Sequence, residues 1–549
     1  MLLVLGLDGA TLRLAGRWMD EGKLPVLADL RRRGRWGVLR STVPPATLPS
    51  WTTFMTGVNP GQHGVFDFTR REPGTYRVRF VNSTFRKAPS IWRMLSDAGK
   101  RVAVLGMPGT YPPEPVNGCM VSGFDAPVTT RATRSFVYPR SLADEVMRLG
   151  GFTFADFQEF NVGPGWYRTA LSRLLQGVER KRDLALALLE REAWDCFCLV
   201  FGETDTVAHH FWHFSDPSSP RHDVAGAVQF GDSIELVYRA VDAAIGELQA
   251  RVPGGCDVLI ASDHGFGGAG DKAIHLNRFL AQHDWLAFEG SGGNRAVDLA
   301  KRMAQRLMPA SLQGRAFRTF NGRIADSMES RARFGGIDWS RTQAFSEELN
   351  YFPSICINRL GREPLGLVAD ADYERVCAEV TAALLAWRDP ETGAAVLRRV
   401  WQRRELYDGP WVEHAPDLVL ELAEEDGFSL CCLPSRGQPG PEIRRLERRE
   451  LVGGKRFSMS GSHRPDGLYI LAADGVEAGD EDADMIDMAP TMLSLCGLSV
   501  PASMEGRSLA RLGGLAPLTE GLPTGGEEFY SAGDEEVLEE RLRALGYLG

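Results

Sequence analysis

The chain of 549 residues sets 62 Lys and Arg against 72 Asp and Glu, a formal net charge of −10, and is 44% hydrophobic. That length allows about two to four domains, or one large domain with an insertion, and the composition suits a globular protein with a sizeable core. The negative balance argues against general affinity for nucleic acid or an anionic membrane, so an anionic substrate would need local positive charge such as bound metal. Nine cysteines without a CxxC pair do not read as a disulfide framework. Several lie in apolar runs, where free thiols act as small hydrophobes in a reducing compartment. No segment reaches the ~20 apolar residues of a membrane span. The first apolar run is too short for a signal sequence and leads straight into Asp8, so the expected location is cytoplasmic.

In chain order, "LLVLGLD", "RVAVLGMP", "CFCLVFGETD" and "DVLIASDHG" are short apolar runs that stop at polar residues. Amphipathic stretches lie between them, among them Ser90 to Gly99, Ser172 to Arg191 and Gln229 to Arg251. This alternation predicts an α/β fold with a mostly parallel central sheet and helices on both faces. Beyond Gly270 the texture changes. Residues 295–333 are arginine-rich and read as one or two amphipathic helices with a solvated face. "SICINRLG" and "DLVLEL" return to strand character, Asp370 to Arg388 reads as a helix, and Pro434 to Arg449 as a surface loop. The expected division is a catalytic core over 1–275, an inserted α+β cap over 276–412, and a second part of the core over 413–515. A linker follows over 516–549, ending in a short helix in "DEEVLEERLRALGYLG".

Ligands in parallel sheets collect at the C-terminal ends of the strands. Asp8 ends the first apolar run, Asp205 and His209 follow the third at i, i+4, and Asp263 and His264 end the fourth. His463, in "SGSHRPDG", precedes another apolar run. Each has a plain alternative: Asp205 as a helix cap, His209 as a partly buried histidine, Asp8 as a turn former. Their joint placement favours a two-metal hydrolytic site, with carboxylate and imidazole ligands suited to zinc or manganese. Asp205 and His209 share a helical face, whereas Asp263 and His264 diverge in an extended strand and either face two ions or chelate one at a bend, for which Gly265 would supply freedom.

A two-metal site wants a nucleophile between the ions. "STVPPATLPSWTTFMTG" offers one, with prolines holding the chain extended before a helix that Ser50 would cap. Thr47, just ahead of that helix, is favoured because the positive end of the helix dipole stabilises an anionic oxygen. Ser50, Thr52, Thr53 and Thr42 compete with it.

These segments, with "PGQHGVFDF", "TYPPEPVNG", "INRLGREPLG", "APDLVLEL" and "DMAPTMLSLCGLSVPASMEGRSL", resemble the alkaline phosphatase superfamily, in the branch of type I phosphodiesterases and nucleotide pyrophosphatases. The resemblance spans nearly the whole chain. It implies one zinc held by Asp205, His209 and His463, and a second by Asp8, Asp263 and His264, with Thr47 touching the second. Thr47 would attack phosphorus and form a phospho-threonine that water then hydrolyses. Characterised nucleotide pyrophosphatases place an asparagine a few residues beyond the His-Gly matching His63 and Gly64, where this chain has Phe66, Asp67 and Phe68. Oxyanion stabilisation must then come from backbone amides near Thr47, or from Arg70 or Arg71. His63 is expected to support the fold, and His210 and His213 read as packing or rim residues, with pocket lining the alternative for His213. The expected partner is a small phosphoester, nucleotides included; nothing in the pattern fixes an oligomeric state.

Other readings fit less well. A sulfatase needs C/S-x-P-x-R, and Thr47 to Trp51 supplies neither the convertible residue nor the arginine. A phosphoglycerate mutase-like phosphotransferase normally uses serine. A phosphomonoesterase or phosphonate hydrolase differs only in the treatment of the non-bridging oxygens and leaving group. A non-catalytic binding protein on this scaffold would have shed ligands that this chain keeps.

Overall fold

A computed structural model of the protein describes residues 1–126, 135–152, 165–289, 334–349, 352–451, 459–510 and 512–518. The arginine-rich stretch 295–333 and the C-terminal helix expected beyond Ala532 lie outside the described residues.

The apolar runs form strands because each can bury both faces. Leu2–Leu7, Val102–Met107 and Cys196–Phe201 are buried along their whole length, as expected for interior parallel strands. Their side chains alternate between two cores. Leu3, Leu5, Leu7, Phe197, Leu199 and Phe201 face one, and Leu2, Val4, Cys196, Cys198 and Val200 face the other. Helices Leu12–Asp20, Trp166–Arg191 and Ser233–Arg251 fill the first core. Helices Thr47–Thr56, Ile91–Asp97 and Met488–Leu495 fill the second.

Among the described residues the central sheet has 10 strands. Asp257–Ala261, Leu2–Leu7, Cys196–Phe201, Val102–Met107 and Gly118–Ser122 run parallel, with Leu2–Leu7 in register between Asp257–Ala261 and Cys196–Phe201. Asp466–Ala472 joins antiparallel, between Asp257–Ala261 and Arg35–Arg40. A strand buried on both faces has the same apolar pattern in either direction, so its sense was not legible.

A third, smaller core belongs to an antiparallel sheet of Ala344–Phe345, Ser354–Ile357, Leu418–Leu422 and Leu397–Gln402, covered by helix Asp370–Ala386. Leu418–Leu422 is hydrogen-bonded into this sheet, and Val412 lies in the connection between Leu397–Gln402 and Leu418–Leu422. The loop expected over Pro434 to Arg449 contains a strand, Ile443–Arg445, paired with Lys272 to Ile274. Among the described residues no helix is long and apolar enough to cross a membrane.

Candidate active site

The strand ends bring the marked residues together. Asp8 follows Leu2–Leu7, Asp205 lies in the first turn of helix Glu203–Ser215, and Asp263 and His264 form the turn between Asp257–Ala261 and Gly265–Ile274. His463 sits on Gly461–Arg464, directly opposite Phe266 of Gly265–Ile274. All six side chains are buried.

Gly265 makes the bend possible by its size rather than by an unusual φ. A Cβ there would lie 1.9 Å from the carbonyl oxygen of Asp466. The residue that needs glycine's conformational freedom is Gly9, at φ +66°, whose N–H donates to Asp263 Oδ1 at 3.1 Å.

Each histidine is oriented by a main-chain carbonyl. His209 Nδ1 lies 3.1 Å from Gly461 O, His264 Nδ1 3.0 Å from Gly265 O, and His463 Nδ1 2.9 Å from Pro45 O. A carbonyl can only accept, so each Nδ1 carries the hydrogen and a neutral ring presents the Nε2 lone pair. Burial holds the His264 and His463 imidazoles below the ordinary value, which favours that neutral form. Phe266 packs edge-on against His209, with centroids 4.7 Å apart, and backs the site with an apolar ring.

The donor atoms then converge. His209 Nε2 and His463 Nε2 are 3.1 Å apart, and each lies 3.3 Å from Asp205 Oδ1. Two lone-pair nitrogens that close repel unless a cation lies between them. Ligands about 2.0 Å from a tetrahedral zinc ion stand about 3.3 Å from one another, so this triad fits one. Burial opposes the Asp205 charge; positive charge at His209, then at His463, outweighs it and holds the carboxyl well below the usual range, and with both rings neutral that charge is left for a cation to supply.

A second triad adjoins the first. His264 Nε2 is 3.6 Å from Asp8 Oδ1 and 3.4 Å from Asp263 Oδ2, and these three buried atoms have no hydrogen-bond partner. Burial pushes the Asp8 and Asp263 carboxyls up, and Asp205 pushes both further. A divalent cation would reverse that. His264 can also be grouped with Asp205 and His463. The shorter separations among Asp205, His209 and His463 favour His209 as the third member of the first triad.

Thr47 is the first residue of helix Thr47–Thr56, and Ala46 ahead of it has no capping side chain. The helix therefore starts three residues before Ser50. Pro49 is tolerated because it stands in the first turn, where no intrahelical N–H bond is lost. Ser50 instead hydrogen-bonds Ser41 and Thr42 through its hydroxyl, at 2.7 and 2.8 Å.

Arg70 stacks over Phe85 at 4.4 Å, and Arg71 is ion-paired with Glu363 at 2.6 Å. His213 packs against Phe214 and Tyr167. His63 accepts from Val65 N–H at Nδ1 and lies 2.9 Å from Thr53 Oγ1 at Nε2; burial, then Arg86, lowers its pKa to about 3. It is a neutral structural staple. Phe66 and Phe68 pack against Tyr407 and Phe124. Sequence reasoning did not single out Phe266 or Trp51; the available signals were the adjacency of Phe266 to His264 and the i, i+4 spacing of Thr47 and Trp51.

A large, mostly parallel α/β sheet with acids and histidines gathered at its strand ends is the alkaline phosphatase-like fold. The chain belongs to the type I phosphodiesterase / nucleotide pyrophosphatase family, whose model matches residues 2–431. Among solved structures it is similar to phosphonoacetate hydrolase from Sinorhizobium meliloti 1021. The complex with phosphonoformate gives a TM-score of 0.54 at 16% identity, covering 90% of this chain and 95% of that one. The complex with phosphonoacetate gives 0.53 with the same identity and coverage. Human ectonucleotide pyrophosphatase / phosphodiesterase 5 gives 0.45 at 13% identity, covering 91% and 96%. No curated protein matches the chain in sequence.

Proposed function

We propose that the protein is a two-metal phosphoester hydrolase, favouring diesters over monoesters, in which Thr47 is the nucleophile. The observation that carries this reading is the convergence of Asp205 Oδ1, His209 Nε2 and His463 Nε2 within 3.1–3.3 Å in a buried pocket beside Asp8, Asp263 and His264. Asp205, His209 and His463 would hold one divalent ion, and Asp8, Asp263 and His264 the other; zinc is the best fit and manganese the alternative. Such ions supply positive charge that ionises a hydroxyl and neutralises the oxygens of an in-line displacement at phosphorus.

The chain's own groups do the rest. Thr47 Oγ1 gives up its proton and forms a bond to phosphorus as the bond to the leaving alcohol oxygen breaks and that oxygen takes up a proton, giving a phospho-threonine. Water then forms a new P–O bond, Thr47 Oγ1 leaves and regains its proton, and the phosphate or monoester departs. At the start of helix Thr47–Thr56 Pro49 has no N–H and the Ser50 N–H is spent on Ala46 O, so main-chain support for the non-bridging oxygens would centre on Leu48, in place of the asparagine missing beyond Gly64. The three carbonyl-held imidazoles keep their Nε2 atoms directed inward throughout.

Thr47→Ala tests this directly. With zinc added, turnover of bis-p-nitrophenyl phosphate should fall at least roughly 1,000-fold while zinc binding is kept. Retained turnover would move the nucleophile elsewhere. A panel of p-nitrophenyl mono-, di- and phosphonate esters, together with phosphonoacetate, with zinc or manganese, ranks the substrate classes.

A further inference from the structure

Trp51 is fully buried in the second core and lies one helical turn after Thr47. Residues four apart share a helix face. Its indole Nε1–H donates to Asp8 Oδ2 at 3.3 Å. The other oxygen of the same carboxylate, Oδ1, has no hydrogen-bond partner and is the one turned towards His264 Nε2. An indole N–H is a donor only, so it engages one oxygen of Asp8 and leaves the second for a cation. The ring itself has little room to move. It lies on Gly6, where a Cβ would come within 2.8 Å of Trp51 Cη2, and Phe54 packs edge-on against it with centroids 5.1 Å apart.

We infer that Trp51 is a positioning residue that ties the Thr47 helix to the Asp8–Asp263–His264 triad by selecting Oδ1 of Asp8 as the metal-facing oxygen. This rests on the hydrolase reading above. A tryptophan kept only for packing would be replaced by phenylalanine with no selective effect on one ion. A tryptophan that fixes a ligand's orientation acts as outer-shell partners do, and losing one typically costs about 10- to 100-fold in metal affinity.

The test is Trp51→Phe in the full-length protein, titrated with zinc against a chromophoric chelator and assayed on bis-p-nitrophenyl phosphate. The expected result is one zinc bound as in the parent protein and the other about 10- to 100-fold more weakly. At saturating zinc kcat should fall with KM unchanged. Equal affinities for both ions in variant and parent, or equal weakening of both, would overturn the inference. Should Trp51→Phe fail to fold, Trp51→Tyr keeps an aromatic ring without the indole N–H, and the same selective loss is required of it. The hydrolase reading fails separately: in that case the parent protein itself binds no zinc and turns over none of the esters.

Discussion

His463 Nδ1 lies 2.9 Å from the carbonyl oxygen of Pro45, two residues before Thr47. The imidazole whose Nε2 faces Asp205 and His209 therefore also anchors the segment that leads into the threonine helix. His463→Ala should remove one bound zinc, measured by metal analysis, and lower turnover by at least roughly 100-fold. His463→Gln should restore little, because its amide supplies no imidazole lone pair.

Asp417 tests the smaller core. It is buried, accepts from Arg362 Nη1 and Nη2 at 3.0 and 2.7 Å and from the Ile357 N–H, and lies 3.3 Å from Arg403. Burial opposes its charge, but Arg362 and then Arg403 hold its pKa below the usual carboxylate value. A depressed folded-state pKa gives stability that is present above about pH 4 and lost as the pH falls through the folded value. Asp417→Asn should cost about 1.5–3 kcal/mol at pH 7, because buried Arg403 and half-buried Arg362 each lose a charged hydrogen-bond partner while Glu413 and Glu363 remain beside them. In denaturant titrations the gap between variant and parent should close at acid pH.

The smaller unit should set substrate choice. Thr69 and Arg71 are tied to Glu347 and Glu363, and Leu349, Phe352 and Trp401 share an apolar cluster with Ala46 and Leu48, which flank Thr47. Phe352→Ala or Trp401→Ala should change the ratio of kcat/KM between p-nitrophenyl esters of different leaving groups by about 10-fold, an ordinary magnitude for pocket contacts. Zinc content should stay as in the parent; an unchanged ratio would remove this unit from substrate selection.

Gly265→Ala should be far more damaging than an ordinary glycine substitution. Its Cβ would meet main chain at Asp466, which cannot swing aside as a side chain can. Zinc affinity and thermal stability should fall together, in metal titrations and melting curves.

Much of this was legible in the sequence for identifiable reasons. Runs such as "LLVLGL" and "CFCLVF" are apolar throughout because both faces are covered, and the acids that end them mark the edge where ligands gather. Asp205 and His209 came together because helix Glu203–Ser215 begins directly after its strand. Other features left no local signal. The antiparallel sense of Asp466–Ala472, the Arg71–Glu363 pair and the Trp51–Asp8 hydrogen bond depend on segments far apart in the chain. Pro49 suggested a later helix start than the one found, since proline is equally at home before a helix and in its first turn.

Leu2–Leu7 lies in the middle of the sheet, between Cys196–Phe201 and Asp257–Ala261, strands that both follow it at a long distance in the chain. It has neither native neighbour until some 200 residues have been synthesised, so a fully apolar, unpaired edge persists through that interval. Such non-local pairing is slow and exposes the nascent chain to aggregation. Yield on recombinant expression should therefore respond to chaperone supply and growth temperature more than to substitutions on the finished surface.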